Sequence, residues 1–194
     1  MSGCWVFGYG SLVDPSSFGA TIGRAFHPGV DFTAAELSGF GRRWNYGVLH
    51  ASASGPGPGG TTIDYTLVAL GVVRAEEESV NGVVGWVDSD ELALLDHRER
   101  HYDRVDVTDR TTVLRGGDVS GPIAVYVPRN EAIEHYERAR DAGRAAIEQR
   151  YWDLVDQAFA AFGPDAHARY HSTTPAPDVP VIALTPAITR SQPT

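Results

Sequence analysis

The chain has a single cysteine, Cys4, in 194 residues, so no disulfide can form within it. A lone thiol suits a reducing compartment. Net positive charge is also missing, since 16 Lys+Arg stand against 25 Asp+Glu and leave a formal charge of −9. A protein that grips a phosphate backbone or an anionic membrane surface needs a basic face. Nucleic acid and membrane are therefore not expected as partners. No apolar run approaches the ~18 residues that a membrane helix requires. The opening Met-Ser-Gly-Cys-Trp-Val-Phe lacks both a basic stretch and a long apolar stretch. No signal peptide is expected, and the expected compartment is the cytoplasm. Neither is apolar material scarce: 42% hydrophobic and 21% charged residues mark a folded chain rather than a disordered one.

Residues 4–8 form a short apolar run that ends in Gly8-Tyr9-Gly10, the pattern of a buried strand entering a turn. Asp14-Pro15 then reads as a helix cap followed by proline at the first helical position. Strands are expected over 32–38 and 41–49, broken at Gly39 and Gly41. The Ala/Ser/Gly/Pro-rich stretch from His50 to Thr61 reads as a mobile loop. Two more strands are expected over 66–73 and 80–87, with Glu76-Glu77-Glu78 between them. The spacing changes to helical over Asp88–Arg100, where Leu92, Leu95 and Glu99 share one side. A strand over 102–114, a turn at Gly116-Gly117-Asp118 and a strand over 123–127 complete the first part. Residues 131–162 are helical in pattern, divided at Gly143 and stopped at Gly163-Pro164.

Strands first and helices last argue for an α+β fold with a mostly antiparallel or mixed sheet. Glycines within the strands (Gly71, Gly82, Gly85) suggest bulges and a small closed β-barrel with flanking helices. The organisation expected is one domain over 1–171, with a core at 4–127 and a helical C-terminal extension at 131–171. A proline-rich, peripheral tail follows at 172–194.

Two segments carry chemistry-bearing residues. In Val6-Phe7-Gly8-Tyr9-Gly10-Ser11-Leu12 a glycine-flanked turn precedes a helix. Its backbone N–H groups suit a carboxylate or a developing oxyanion, but an ordinary strand-to-helix turn has the same pattern. It is no Walker loop, lacking Gly-Lys-Ser/Thr, and no Gly-x-Ser-x-Gly elbow, since Val13 follows Leu12. In Leu95-Asp96-His97-Arg98-Glu99-Arg100-His101-Tyr102, Glu99 follows the face of Leu92 and Leu95. A carboxyl drawn toward an apolar pocket has a raised pKa and becomes an acid/base group. Pairing of Glu99 with Arg98 or Arg100 at the surface is the competing reading. His97 and His101, four apart, are a weak metal-ligand pair, because zinc helices of this spacing carry Glu directly after the first His and Arg98 stands there. Arg42-Arg43-Trp44-Asn45-Tyr46 reads as an edge strand packing its aromatics, or as a pocket wall. Tyr126 is either a pocket donor or a core tyrosine.

The two segments together resemble a known family. Tyr9-Gly10-Ser11-Leu12 is similar to the signature that opens γ-glutamylcyclotransferase-like proteins, including the ChaC-type enzymes that degrade glutathione. Leu37–Arg43 resembles the next strand of that family, and Val83-Val84-Gly85-Trp86-Val87 the strand before its catalytic helix. Leu95-Asp96-His97-Arg98-Glu99 with Tyr102 resembles the segment that holds its catalytic glutamate. The resemblance runs from about Trp5 to Val127. It implies a small mixed β-barrel and a substrate pocket lined by Tyr9, Gly10, Ser11 and Leu12, with Tyr102 and Tyr126 beside them. Glu99 would pass a proton from the substrate's α-ammonium to the leaving amine while a five-membered 5-oxoproline ring closes. No metal or organic cofactor is required, and the partner is a small γ-glutamyl compound. The chain departs from the ChaC-type pattern at Val13-Asp14-Pro15 and at Arg100-His101. Glutathione, a γ-glutamyl amino acid and a γ-glutamyl amine all stay open as substrate. A non-catalytic ligand-binding protein and a metal-assisted hydrolase using His97 and His101 are the alternative expectations.

Overall fold

A computed structural model describes residues 3–114 and 119–186; the turn expected at 116–118 and the end of the tail lie outside them. The first strand, β1 (Gly3–Gly8), is the expected apolar run, and Val6 and Phe7 are fully buried. It is apolar throughout because it lies inside the sheet. It runs antiparallel to β3 (Thr62–Asp88) on one side and parallel to β6 (Ile123–Pro128) on the other. A strand with neighbours on both edges and cover on both faces has no solvent side for polar residues. Asp14 caps helix α1 (Pro15–Ile22) as expected, its carboxylate accepting from Ser17 N–H at 2.6 Å. Such a cap contributes about 1 kcal/mol.

The sheet differs most from expectation in β2 (Phe32–Pro56) and β3, which form one long antiparallel hairpin in place of four short strands and a loop. Gly39 does not end β2. At φ 77° it sits in a register shift between Ser38 and Phe40, a left-handed position that glycine enters without strain. The stretch expected to be a mobile loop is ladder instead, with Ser52 to Pro56 paired to Thr66 to Thr62. Glu76 and Glu78, two residues apart on one strand face, reach Arg110 and Arg43. They lie within β3, at the register shift opposite Gly39.

Strand order is β4-β6-β1-β3-β2-β5, where β4 is Tyr102–Asp106 and β5 is Thr111–Val113. The fold is thus α+β with a mixed, mostly antiparallel sheet and flanking helices, as expected. The barrel does not close. The two edge strands are joined covalently, with no ladder between them among the described residues. Val107 N–H donates to Ile123 O at 2.8 Å and Arg110 N–H to Val107 O at 3.0 Å, so a tight turn at Thr108–Arg110 carries the chain from one edge to the other. The single strand expected over 102–114 is divided at this turn.

The C-terminal part is helical, in α3 (Asn130–Asp141), α4 (Gln149–Ala161) and α5 (Pro164–Ser172). Between α3 and α4 a short strand, β7 (Ala145–Glu148), pairs with β3, a feature the sequence pattern did not reveal. The tail is less peripheral than expected. β8 (Val181–Ile182) pairs with β7, β9 (Thr185–Pro186) pairs with β2, and Val179 and Leu184 are buried. No helix among the described residues is long and apolar enough to cross a membrane.

One charged residue is fully buried in this frame. The Arg42 guanidinium lies against the stacked rings of Phe159 on α4 and Tyr170 on α5, 4.8 and 5.1 Å from their centroids. It donates to Thr174 Oγ1 at 3.0 Å and to Asn81 O. Burial pushes its pKa down to about 10, so it stays charged at neutral pH. Among the described residues β2 is laddered to β3 only over 40–47, and it packs its aromatics, Trp44 on Trp152 and Tyr46 on Tyr102, as the edge-strand reading expects. Replacing Arg42 with alanine leaves a cavity beside the stacked rings and is expected to cost about 3 kcal/mol in urea unfolding. Arg42→Met keeps the stem and removes the buried charge, and should cost less. Equal losses for the two variants would contradict packing as the main role of this side chain.

Candidate functional site

Helix α2 (Ser89–Arg98) sets the position of Glu99. Its start is fixed by a reciprocal cap. Asp88 Oδ1 accepts from the Asp90 and Glu91 amides, both at 2.9 Å, and Glu91 returns a bond to Asp88 N–H at 3.0 Å. Arg24 holds Glu91, Asp31 and the Trp86 carbonyl together at 2.6, 2.7 and 2.7 Å. At the other end Glu99 leaves helical geometry, with φ −91° and ψ 27°. Its carbonyl accepts from Tyr102 N–H at 2.8 Å. Leu95 on the same face is fully buried, so Glu99 follows it inward.

Arg98 closes the arrangement. It donates to Thr21 Oγ1 at 2.6 Å and to Ser11 Oγ at 2.9 Å, and its Nε lies 3.0 Å from Glu99 Oε1. The two readings of Glu99 left open by the sequence are thus both partly right. Glu99 pairs with Arg98, but its side chain is only 12% exposed. Desolvation raises its pKa and the Arg98 charge opposes the rise.

Glu99 shares one cavity with Tyr9, Gly10, Ser11, Leu12, Tyr102 and Tyr126, every residue expected at the site. Gly10 is closely approached, since a Cβ there would meet the Tyr151 hydroxyl at 3.0 Å. After it the chain makes one tight turn at Ser11–Val13, where Val13 N–H bonds Gly10 O at 3.0 Å and Asp14 N–H bonds Ser11 O at 3.3 Å. The Gly10, Ser11 and Leu12 amides precede these bonded ones. They are the open donors that any helical turn leaves at its start.

The individual roles differ from a simple ring of donors. The Ser11 hydroxyl is already engaged by Arg98. The Tyr126 hydroxyl donates to Asp96 Oδ1 at 2.8 Å, while its carbonyl accepts from Tyr9 Oη at 2.8 Å. Tyr102 stacks on Tyr46, ring centroids 4.4 Å apart. Burial is the main cause raising the pKa of Tyr9, Tyr46, Tyr102 and Tyr126, and it lifts Tyr151 to about 12. All five remain neutral phenols near pH 7. Phe7, Leu70 and Tyr151 also line the cavity and were missed. Tyr151 accepts from Leu70 N–H at 3.2 Å. It lies in the stretch 131–162 that reads as helical, and nothing in its spacing linked it to a turn so far away in the chain.

The cavity is small, about 40 Å³, room for about three water molecules. A larger one of about 460 Å³ lies elsewhere, walled by Phe32, Asn81, Phe159 and Arg169. Its carboxylate Glu36 is held below the usual range by Ser79 and Arg169, the wrong direction for a proton shuttle near neutrality. The expected alternative of a metal at His97 and His101 is not supported. His97 is exposed and His101 turns to His50, with ring centroids 4.4 Å apart. Among the described residues, neither belongs to a three-ligand cluster.

Solved structures supply the comparison. One named gamma-glutamyl cyclotransferase aligns over 90% of this chain and 90% of its own, with TM-score 0.55 and 14% identity. This chain has the γ-glutamylcyclotransferase fold. A yeast γ-glutamyl cyclotransferase specific to glutathione aligns over 89% of this chain and 96% of its own, at TM-score 0.55 and 16% identity. A human protein described as uncharacterized aligns over 94% of both chains, at TM-score 0.58 and 16% identity. No family model matches the chain, and no curated protein matches it.

Within this γ-glutamylcyclotransferase fold Arg98 is the one charge that opposes the rise in the Glu99 pKa. Arg98→Met is expected to raise that pKa further, read as an upward shift of the Glu99 carboxyl resonance in a carbon-detected NMR titration. A downward shift would show that desolvation is not the governing cause.

Proposed function

We propose that this protein is a γ-glutamyl cyclotransferase that releases 5-oxoproline from a γ-glutamyl peptide or γ-glutamyl amine. The observation that carries the reading is the nearly buried Glu99 carboxyl, raised in pKa, in one cavity with the Gly10, Ser11 and Leu12 turn. The fold shared with named γ-glutamyl cyclotransferases supports it.

The chemistry needs little from the protein because the nucleophile belongs to the substrate. The α-amine and the γ-carbonyl are on one molecule, so catalysis consists of holding a folded conformer and moving protons. Glu99 as carboxylate takes a proton from the α-ammonium. The freed nitrogen attacks the γ-carbonyl carbon, and the oxyanion that develops faces the open turn amides. The bond to the leaving nitrogen breaks as that nitrogen receives the proton from Glu99. The α-nitrogen loses two protons in all and the leaving amine gains two, so the carboxyl returns to its starting state. Water in the cavity must leave, and the tyrosine walls must part to admit a γ-glutamyl group. The neutral phenols of Tyr9, Tyr102 and Tyr151 then offer polar contact without adding charge. Leaving-group size is set by the opening of the cavity, and glutathione, γ-glutamyl amino acids and γ-glutamyl amines are all candidates.

Glu99→Gln tests the reading. The variant should fold with unchanged or higher thermal stability, because it removes a carboxylate that burial disfavours. Release of 5-oxoproline, followed by chromatography over a panel of γ-glutamyl compounds, should fall at least ~100-fold. Wild-type rates in the variant would remove Glu99 from the mechanism. Saturable binding without product in the wild type would favour a ligand-binding protein instead.

The pH profile gives a second test. The base must be ionised and its pKa is raised from 4.5, so kcat/KM should fall with acidification at a pH above that value. The unfolded chain ionises Glu99 near the ordinary carboxylate pKa. The native state therefore binds more protons between the two values, and this group's contribution to stability declines as pH rises through that window. A rate that holds constant down to pH 4.5 would contradict the assignment of Glu99 as base.

A further inference from the structure

Helices α4 and α5 carry a side-chain cluster that the proposed reaction does not use. His167 and His171, one turn apart on α5, meet Asp156 of α4. His167 Nε2 lies 2.8 Å from Asp156 Oδ1, His171 Nε2 lies 3.0 Å from the same oxygen, and the two nitrogens are 3.1 Å apart. All three side chains are partly accessible, 32–33% for Asp156 and His167 and 52% for His171.

With the carboxylate ionised and both imidazoles neutral, no placement of protons satisfies this triangle. If both imidazoles donate through Nε2 to the carboxylate, two N–H groups confront each other at 3.1 Å. If His171 donates to His167 instead, the His167 lone pair faces the carboxylate oxygen at 2.8 Å. One edge is repulsive in each of these assignments. A cation above the triangle turns all three lone pairs into favourable contacts. An ion bonded at ~2.0–2.1 Å to each atom would sit about 1 Å out of their plane, leaving a fourth tetrahedral position for water.

We propose that Asp156, His167 and His171 form a binding site for a divalent transition metal, with zinc as the ion it suits best. Two imidazoles and one carboxylate favour a first-row ion over calcium or magnesium, which prefer all-oxygen shells. The i, i+4 spacing puts both histidines on one face of α5, and the carboxylate comes from the facing helix. The ion joins α4 to α5, the same pair that stacks Phe159 on Tyr170 at 4.4 Å and covers Arg42. Its role is to fasten this pair, with no part in the acid/base chemistry at Glu99. The assignment goes beyond the cyclotransferase reading and does not depend on it.

The full-length protein, stripped with a chelator and dialysed, is titrated with zinc sulfate by calorimetry. In parallel, cobalt(II) is followed by its visible absorption. One ion per chain is expected, with a visible band of four-coordinate cobalt and a rise in Tm on adding zinc. Affinity should drop at least tenfold in His171→Ala and in Asp156→Asn, and the Tm rise should vanish with it. His171→Gln serves the same purpose should the alanine variant lose its native circular dichroism. His101→Ala, which removes the other close histidine pair, should bind as wild type. Absence of zinc binding in the wild type, or undiminished affinity in the His171 variants, would overturn the proposal. Loss of binding in His101→Ala with retention in His171→Ala would move the site to His50 and His101 and overturn it equally.

Discussion

The seating of β1 between β3 and β6 is the constraint on which the rest of the molecule depends. Its antiparallel register with β3 runs from Gly3 opposite Asp88 to Gly8 opposite Val83, and its parallel register with β6 sets Phe7 beside Val125. The first register brings the start of α2 next to the start of the chain, because Asp88 is both a ladder residue and the helix cap. The second brings Tyr126 to the place where the chain leaves β1, close enough for its carbonyl to take the Tyr9 hydroxyl. A slip of one residue would turn each of these side chains to the opposite face. The cavity is thus a consequence of strand register before it is a matter of side-chain choice.

Arg98 then converts this placement into electrostatics. Its guanidinium ties the end of α2 to α1 through Thr21 and to the turn after β1 through Ser11. It holds its charge beside a carboxyl that burial would otherwise drive further toward the neutral form. An acid/base group works best when neither state is strongly preferred. On the proposed reading, desolvation and one neighbouring cation, acting in opposite directions, bring Glu99 toward that condition.

Much of this was legible in the sequence, for identifiable reasons. The run at 4–8, the cap at Asp14 and the shared face of Leu95 and Glu99 are local features whose meaning does not depend on distant residues. What escaped depends on partners. Gly39 reads as a strand break until the opposite strand shows that it is a bulge in a continuing ladder. The Ala/Ser/Gly/Pro stretch after His50 has no strand signature, since backbone pairing with residues 62–66 needs none from the side chains. Glu76 and Glu78 read as a break between two strands because the arginines that pair with them come from elsewhere in the chain. Tyr151 and β7 were invisible as site and sheet elements for the same reason. Closure of the sheet was overestimated because in-strand glycines signal curvature without specifying whether the edges meet.

The far end of the β2–β3 hairpin has a consequence of its own. Ala53 and Tyr65 there form a small apolar cluster with Ala146 and Leu184, away from the main core. That patch has no counterpart until Ala146 and Leu184, 81 or more positions downstream, arrive. The C-terminal segment consequently behaves as a latch. Its docking surface exists only after the hairpin has formed, and the entropy of closing so long a loop falls due at that step. During synthesis the exposed hairpin tip must wait for the last part of the chain, and its charge-poor, small-residue sequence limits what it can adhere to in the interval.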